Sequence, residues 1–262
     1  MAQRVAAASG WGRAVLTLPA VAVVAAFVAA PGPLIEKLRS LDYGVCAQLP
    51  GHMLMPAGVE LPLCARNTGI YTGVLLGMAL LVARGRWRWA AFPPRRCVAV
   101  LLVLVAAMVA DGANSVLNDL SLPHLYAPSN ALRLLTGMGA GMALAALAMP
   151  IVASGLWYRR IAHPSVGGFA DLGTYLAAGL AVALLILTQW APLLYPIAIV
   201  STVGLLFTVC TMNVVLMTMV LRLERAYVAP SSLFAPYSAA LLIAAVELFG
   251  LAMLKHTLLG SA

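Results

Sequence analysis

The stretch CVAVLLVLVAAMVADGANSVL, residues 97–117, holds no charged side chain before Asp111. A bilayer's hydrocarbon core is crossed by roughly 20 apolar residues in a helix, and this run has that length. Its continuous apolarity argues against a membrane β-strand, which would alternate over about 10 residues. The same pattern recurs on both sides of it. Spans are expected at Ala14–Ala30, Leu63–Ala83, Cys97–Leu117, Ala131–Leu156, Leu172–Thr188, Leu193–Val220 and Leu233–Leu254. The expected fold is all-α, a polytopic membrane helix bundle of about seven transmembrane helices.

Composition points the same way. The chain is 63% apolar and 9% charged, whereas a soluble domain carries about 25% charged residues. So few charges cannot cover a water-facing surface, which excludes a soluble enzyme, a coiled coil, a disordered chain and a disulfide mini-scaffold.

Arg4 and Arg13 precede the first run, and Val28-Ala29-Ala30 resembles a signal-peptidase site. Pro31 in the next position should block cleavage, so the segment is expected to be retained as an anchor. With the N-terminus cytoplasmic, Arg4, Arg13, Arg84, Arg86, Arg88, Arg95, Arg96, Arg159, Arg160, Arg222 and Arg225 face inward. Lys37, Arg39, Arg66, Arg133 and Lys255 then lie on the outer side, and the C-terminus is extracytoplasmic. The basic balance is therefore a topology signal with some attraction to anionic lipids. No basic stripe is interleaved with aromatics, so no nucleic-acid partner is expected. Expected partners are membrane lipids and other membrane subunits.

Residues 31–62 form the one long connection, facing outward, with an amphipathic stretch Leu34–Arg39 expected at the membrane interface. Residues 1–156 read as a four-helix module carrying this loop, and residues 157–262 as three further spans. Internal repeats of the transporter kind are not visible.

Polar side chains at membrane depth fall at helical spacing. Cys64, Asn67 and Tyr71 recur at i, i+3, i+7 with Arg66 adjacent, Asp111, Asn114 and Asn118 repeat that spacing, and Asn130 and Arg133 precede Gly137. At about 1.5 Å per residue from Arg96, Asp111 lies about 22 Å into the membrane. A carboxylate there costs about 2.5–3.5 kcal/mol and is normally paired or faces a cavity. Arg133 is the expected partner, with Arg66 second. Arg66, Asn67, Tyr71, Asp111, Asn114, Asn130 and Arg133 thus form the candidate binding cluster. It reads either as an interhelical tie or as an outward pocket where a spare arginine holds an anionic group. Gly69, Gly73 and Gly77, and Gly137 with Gly141, mark close helix packing. Glu247 is a possible proton site.

Cys46 and Cys64 both lie at the outer loop, where a bridge would close about 18 residues and contribute about 3 kcal/mol. A disulfide is the expected state, and a Cu(I) site from Cys46, His52, Met53, Met55 and Cys64 is the alternative. Cys97 and Cys210 read as packed small hydrophobes. His124, His163 and His256 are scattered, and HExxH, P-loop, GxSxG and CxxC motifs are absent. No cofactor and no catalytic residue are expected.

Four elements in order carry a resemblance: Cys46-Ala47-Gln48-Leu49-Pro50, then Pro62-Leu63-Cys64-Ala65-Arg66-Asn67-Thr68-Gly69-Ile70-Tyr71-Thr72-Gly73, Asp111-Gly112-Ala113-Asn114, and Asn130 to Gly137. Across about residues 40–145 the chain resembles a prokaryotic membrane family, the domain of unknown function 2085. That family pairs Cys with His where Cys46-Ala47 stands, and carries a second Cys where Asn67 stands. The resemblance implies a plasma-membrane protein that keeps the Asp/Asn/Arg cluster and has lost part of its cysteine chemistry. The expected function is a non-catalytic subunit or binding protein with an outward polar pocket. A transporter or flippase of a small or lipid-linked anion, or a degenerate thiol or metal enzyme, are the alternatives.

Overall fold

Apolar runs separated by proline-bearing polar turns become long helices in the structure, a computed structural model that describes residues 10–259 and the side chains of residues 17–258. In chain order these are α1 (Gly10–Ala29), α2 (Leu34–Asp42), α3 (Ala65–Ala83), α4 (Arg95–Asp119), α5 (Asn130–Leu156), α6 (Phe169–Leu187), α7 (Leu194–Val220) and α8 (Phe234–Leu259). Two short strands, β1 (Trp89–Ala91) and β2 (Ile161–Pro164), pair in parallel. Pro33 and Pro94 stand at the N-caps of α2 and α4, where the missing N–H removes no helix bond. Ser129 caps α5 by accepting the N–H of Leu132.

Among the described residues, six helical segments are long and apolar enough to cross a membrane: Ala65–Ala83, Arg95–Asp119, Asn130–Leu156, Phe169–Leu187, Ala191–Val220 and Pro230–Leu258. The seventh expected span is α1, whose described apolar part, Thr17–Ala29, is shorter than these. Arg4 and the side chain of Arg13 lie outside the described residues.

The bundle is built around α5, which packs most closely on α3 and then on α4, while α7 packs on the other side of α3. Small residues set this order. A Cβ added at Gly69 or Gly141 would press on the backbone carbonyls of Leu134 and Ile70, and one at Gly204 on that of Tyr71. Backbones approach this closely only where side chains are missing. The main core runs across the whole length, from Leu38 and Leu61 through Leu134 and Met142 to Tyr175 and Ile197. Large apolar side chains such as Val103, Val109, Leu216 and Val246 remain exposed on the outside, as expected of lipid-facing surface.

The two ends differ. At the basic end, Asp171 gathers Arg84 and Arg86, and Arg88 stacks over Trp87 at 4.0 Å. At the cap end, α2 and residues 43–64 fold back over the helices. The Met55 N–H donates to Gln189 Oε1 at 2.9 Å, and Lys255 donates to the carbonyls of Tyr43 and Cys46 at 3.1 and 2.8 Å. The stretch Leu34–Arg39, expected at the membrane interface, has one face embedded in protein. Ile35, Leu38 and Asp42 of α2 are buried, against α7 and α8.

Candidate functional site

Arg66 stands in the first turn of α3, Asp111 two-thirds along α4 and Arg133 in the first turn of α5. All three therefore reach the same depth near the cap end, where Asp111 and Arg133 are buried. The expected Arg133–Asp111 ion pair is not the one that forms. Arg66 Nη2 donates to Asp111 Oδ2 at 2.6 Å and to Ser115 Oγ at 2.8 Å. The other carboxylate oxygen accepts the Tyr126 hydroxyl at 2.9 Å. Helix spacing placed both arginines on facing sides, but the rotation of α3 against α4 decided between them.

Arg133 joins the cluster through neutral groups. Its Nε lies 3.4 Å from Ser115 Oγ, its Nη1 donates to Asn130 Oδ1 at 2.9 Å, and its Nη2 lies 3.0 Å from His52 Nε2. The same imidazole nitrogen is 3.2 Å from Asp119 Oδ1. Unprotonated, that nitrogen accepts from Arg133; protonated, it donates to Asp119. Asn130 also donates to the carbonyls of Gly51 and Met53, both at 3.0 Å, so the cap loop is held directly above Arg133. Asn114 bonds the backbone of Leu125 and Tyr126 and thereby delivers Tyr126 to Asp111. The inner trio Arg66, Asp111 and Arg133 carries one positive charge in excess, and Arg66 Nε is buried without a partner.

The structure thus brings Arg66, Asp111, Asn114, Asn130 and Arg133 together and leaves two predicted members out. Asn67 takes no part in the cluster's hydrogen bonds. Tyr71 turns to the opposite side of α3, where its backbone meets Gly204 and its electrostatic neighbours are Asp42, Cys46 and Cys64. Ser115, Tyr126 and His52 are members that sequence reasoning did not assign to the cluster. Ser115, one turn beyond Asp111, was legible in the spacing; the loop residues Tyr126 and His52 were not.

Cys46 and Cys64 are neighbours, but the expected bridge is not formed and both are free. The Cys64 N–H donates to Cys46 Sγ at 3.2 Å. The Cu(I) alternative loses its imidazole to Arg133 and Asp119, while Met53 is buried and Met55 exposed. Glu247 accepts from Asn213 Nδ2 at 2.8 Å and opens on a lipid-side groove of about 550 Å³ between α7 and α8.

The fold and this cluster define a multipass membrane helix bundle with a charged network beneath an end cap. Residues 46–147 match the model of a family described as "Predicted membrane protein (DUF2085)". The match contains Cys46, Cys64 and every residue of the arginine–aspartate cluster, and stops short of α6, α7 and α8. No curated protein and no solved structure matches the chain.

Proposed function

We propose that this chain is a non-catalytic multipass binding protein or subunit of a prokaryotic plasma membrane. Its cap end faces outward, and the group it binds is an anion held at Arg133 under the cap loop. The observation that carries the reading is the partner set of Arg133. A buried guanidinium with serine, asparagine and imidazole around it, and no carboxylate of the described residues within ion-pair distance, feels Asp119 and Asp111 only at longer range and keeps part of its charge to offer. Arg66, its charge partly spent on Asp111, adds to the positive field. A phosphate or carboxylate arriving beneath the cap would complete what Asp111 leaves undone. The outward orientation rests on the eleven basic residues assigned to the opposite side.

The test uses the full chain in nanodiscs of neutral lipid, with thermal unfolding followed as inorganic phosphate is added. A second set of discs carries phosphatidylglycerol and no free phosphate. Stabilisation by phosphate identifies a soluble anion, and stabilisation only in the anionic discs a lipid headgroup. In either arm Arg133→Gln weakens the response on the order of tenfold, about 1.4 kcal/mol. An identical response in Arg133→Gln and the parent chain would refute the site.

A further inference from the structure

A carboxylate stands near the midpoint of α8, on the side that meets lipid. Glu247 is exposed there, and an acid at membrane depth is costly unless it is paired or faces a cavity. Asn213 of α7, itself buried, donates to its Oε2 at 2.8 Å. Among the described residues, neither Glu247 Oε1 nor Asn213 Oδ1 has a hydrogen-bond partner. No base of those residues stands within ion-pair distance of the carboxylate. Tying α7 to α8 needs no charge, because Thr211 and Tyr237 already join the two helices through hydroxyls 3.1 Å apart.

The pair lines the groove of about 550 Å³ between these helices, with Val209, Met212, Gly250 and Leu251 as apolar walls. Along α8 the groove runs from Val246 to Leu254, about 12 Å. The cap turn closes one end. Val45 lines the groove there, and a Cβ added at the neighbouring Gly44 would press on the Leu248 carbonyl. A transmembrane helix would need a track of about 30 Å, so this short pit suits a compact body. Gly250 keeps it open, since a Cβ at that position would meet nothing.

We propose that this groove binds a lipophilic amine in its protonated form. The ammonium sits against the Glu247–Asn213 pair and donates to Glu247 Oε1 and Asn213 Oδ1. The apolar body fills the space beside Met212, Gly250 and Leu251. Charge complementarity selects a cation, and the two free acceptors select one that carries N–H donors. The volume lies within the range of about 300–1,000 Å³ typical of small-molecule sites. None of these residues belongs to the arginine cluster, so the amine site stands or falls independently of the anion site.

The experiment measures binding of tritiated aminoadamantane to the purified full chain in neutral detergent by equilibrium dialysis, with protein-free micelles subtracted. The parent chain binds the amine. Adamantanol, the same apolar body without the charge, displaces it at least about tenfold less well than unlabelled amine does. Glu247→Gln, which still accepts from Asn213, weakens binding at least about tenfold. Gly250→Leu, which fills the pit, weakens it equally without lowering the melting temperature. A diazirine-bearing alkylamine photolysed on the parent chain labels the peptides that hold Met212 and Leu251, a readout that needs no variant. No binding by the parent, unchanged affinity in either variant, equal displacement by amine and alcohol, or label confined to other helices would overturn the proposal. A parent chain that runs as a dimer and binds no amine, with Gly250→Leu monomeric, would assign the groove to a second copy instead.

Discussion

Asp111 and Asp42 are two buried carboxylates solved in different ways. Asp111 is paired: Arg66 and the Tyr126 hydroxyl donate to its carboxylate, and the Ser115 hydroxyl donates to its backbone carbonyl. Removing one member of a buried pair leaves the other charge unsatisfied, at about 3–5 kcal/mol, whereas replacing both by apolar groups is often neutral. Asp111→Asn should therefore lower the thermal midpoint of the purified protein sharply, and the double variant Arg66→Met/Asp111→Leu should recover most of the loss. Asp119→Asn should cost less than about 1 kcal/mol, since Asp119 is partly exposed and bonds only His52; equal costs for the two aspartates would refute the assigned depth. Asp42, by contrast, has a carboxyl raised to about 7. Its native state holds a proton that the unfolded state has released, so stability falls as pH rises from about 4 to 7. Asp42→Asn, which keeps the hydrogen bond with Thr202, should be more stable than the parent at pH 8 and no different at pH 4. A constant offset between the two melting curves at all pH values would show that the carboxylate is not strained by burial.

Among the elements, the α3–α5 contact is the least forgiving. Gly141 faces the carbonyl of Ile70 and the Cα of Gly73, and backbone atoms cannot move aside as a side chain would. Gly141→Val should abolish a monodisperse peak in size-exclusion chromatography, whereas Gly173→Ala, with open space around it, should be tolerated or gain up to about 1 kcal/mol from helix propensity. A monodisperse Gly141→Val protein would mean that this ridge does not set the packing. Such elements were legible in the sequence because their signals are local and periodic: apolar runs of membrane length, and glycines four apart. The cap was less legible. The amphipathic pattern of Leu34–Arg39 does not say what covers its apolar face, and protein from α7 and α8 does. Likewise β1 and β2 pair across helices α4 and α5, and three or four residues carry no period from which to read that pairing. The candidate cluster was half legible for the same reason. Spacing places Asp111, Asn114, Asn130 and Arg133 on helix faces, whereas the choice of Arg66 as ion partner, and the arrival of Tyr126 and His52, depend on helix rotation and loop folding.

At the scale of the molecule, the part that matches the family model does not stand apart from the rest. Residues 46–147 supply α3, α4 and most of α5, yet α7 fills the other side of α3, where Gly204 meets Tyr71. Thr202 of α7 holds Asp42, and Lys255 of α8 holds the turn that carries Cys46. In lipid, apolar surface alone does not drive helices together; close packing and interhelical hydrogen bonds do. Both kinds of contact cross the division at residue 156. A fragment ending at residue 156 should therefore insert but run as an aggregate in detergent, because Gly69 and Gly73 keep their partner in α5 while Tyr71 and Asp42 lose theirs in α7. Co-expressing residues 157–262 as a separate chain should restore a single monodisperse species containing both fragments, since the contacts at Gly204, Thr202 and Lys255 need no covalent connection. The check is size-exclusion chromatography with each fragment separately tagged. If residues 1–156 alone are monodisperse and bind phosphate as the full chain does, the last three helices are an appendage. If neither fragment is rescued, the connection through β2, which pairs with β1 at the basic end, is itself needed for assembly.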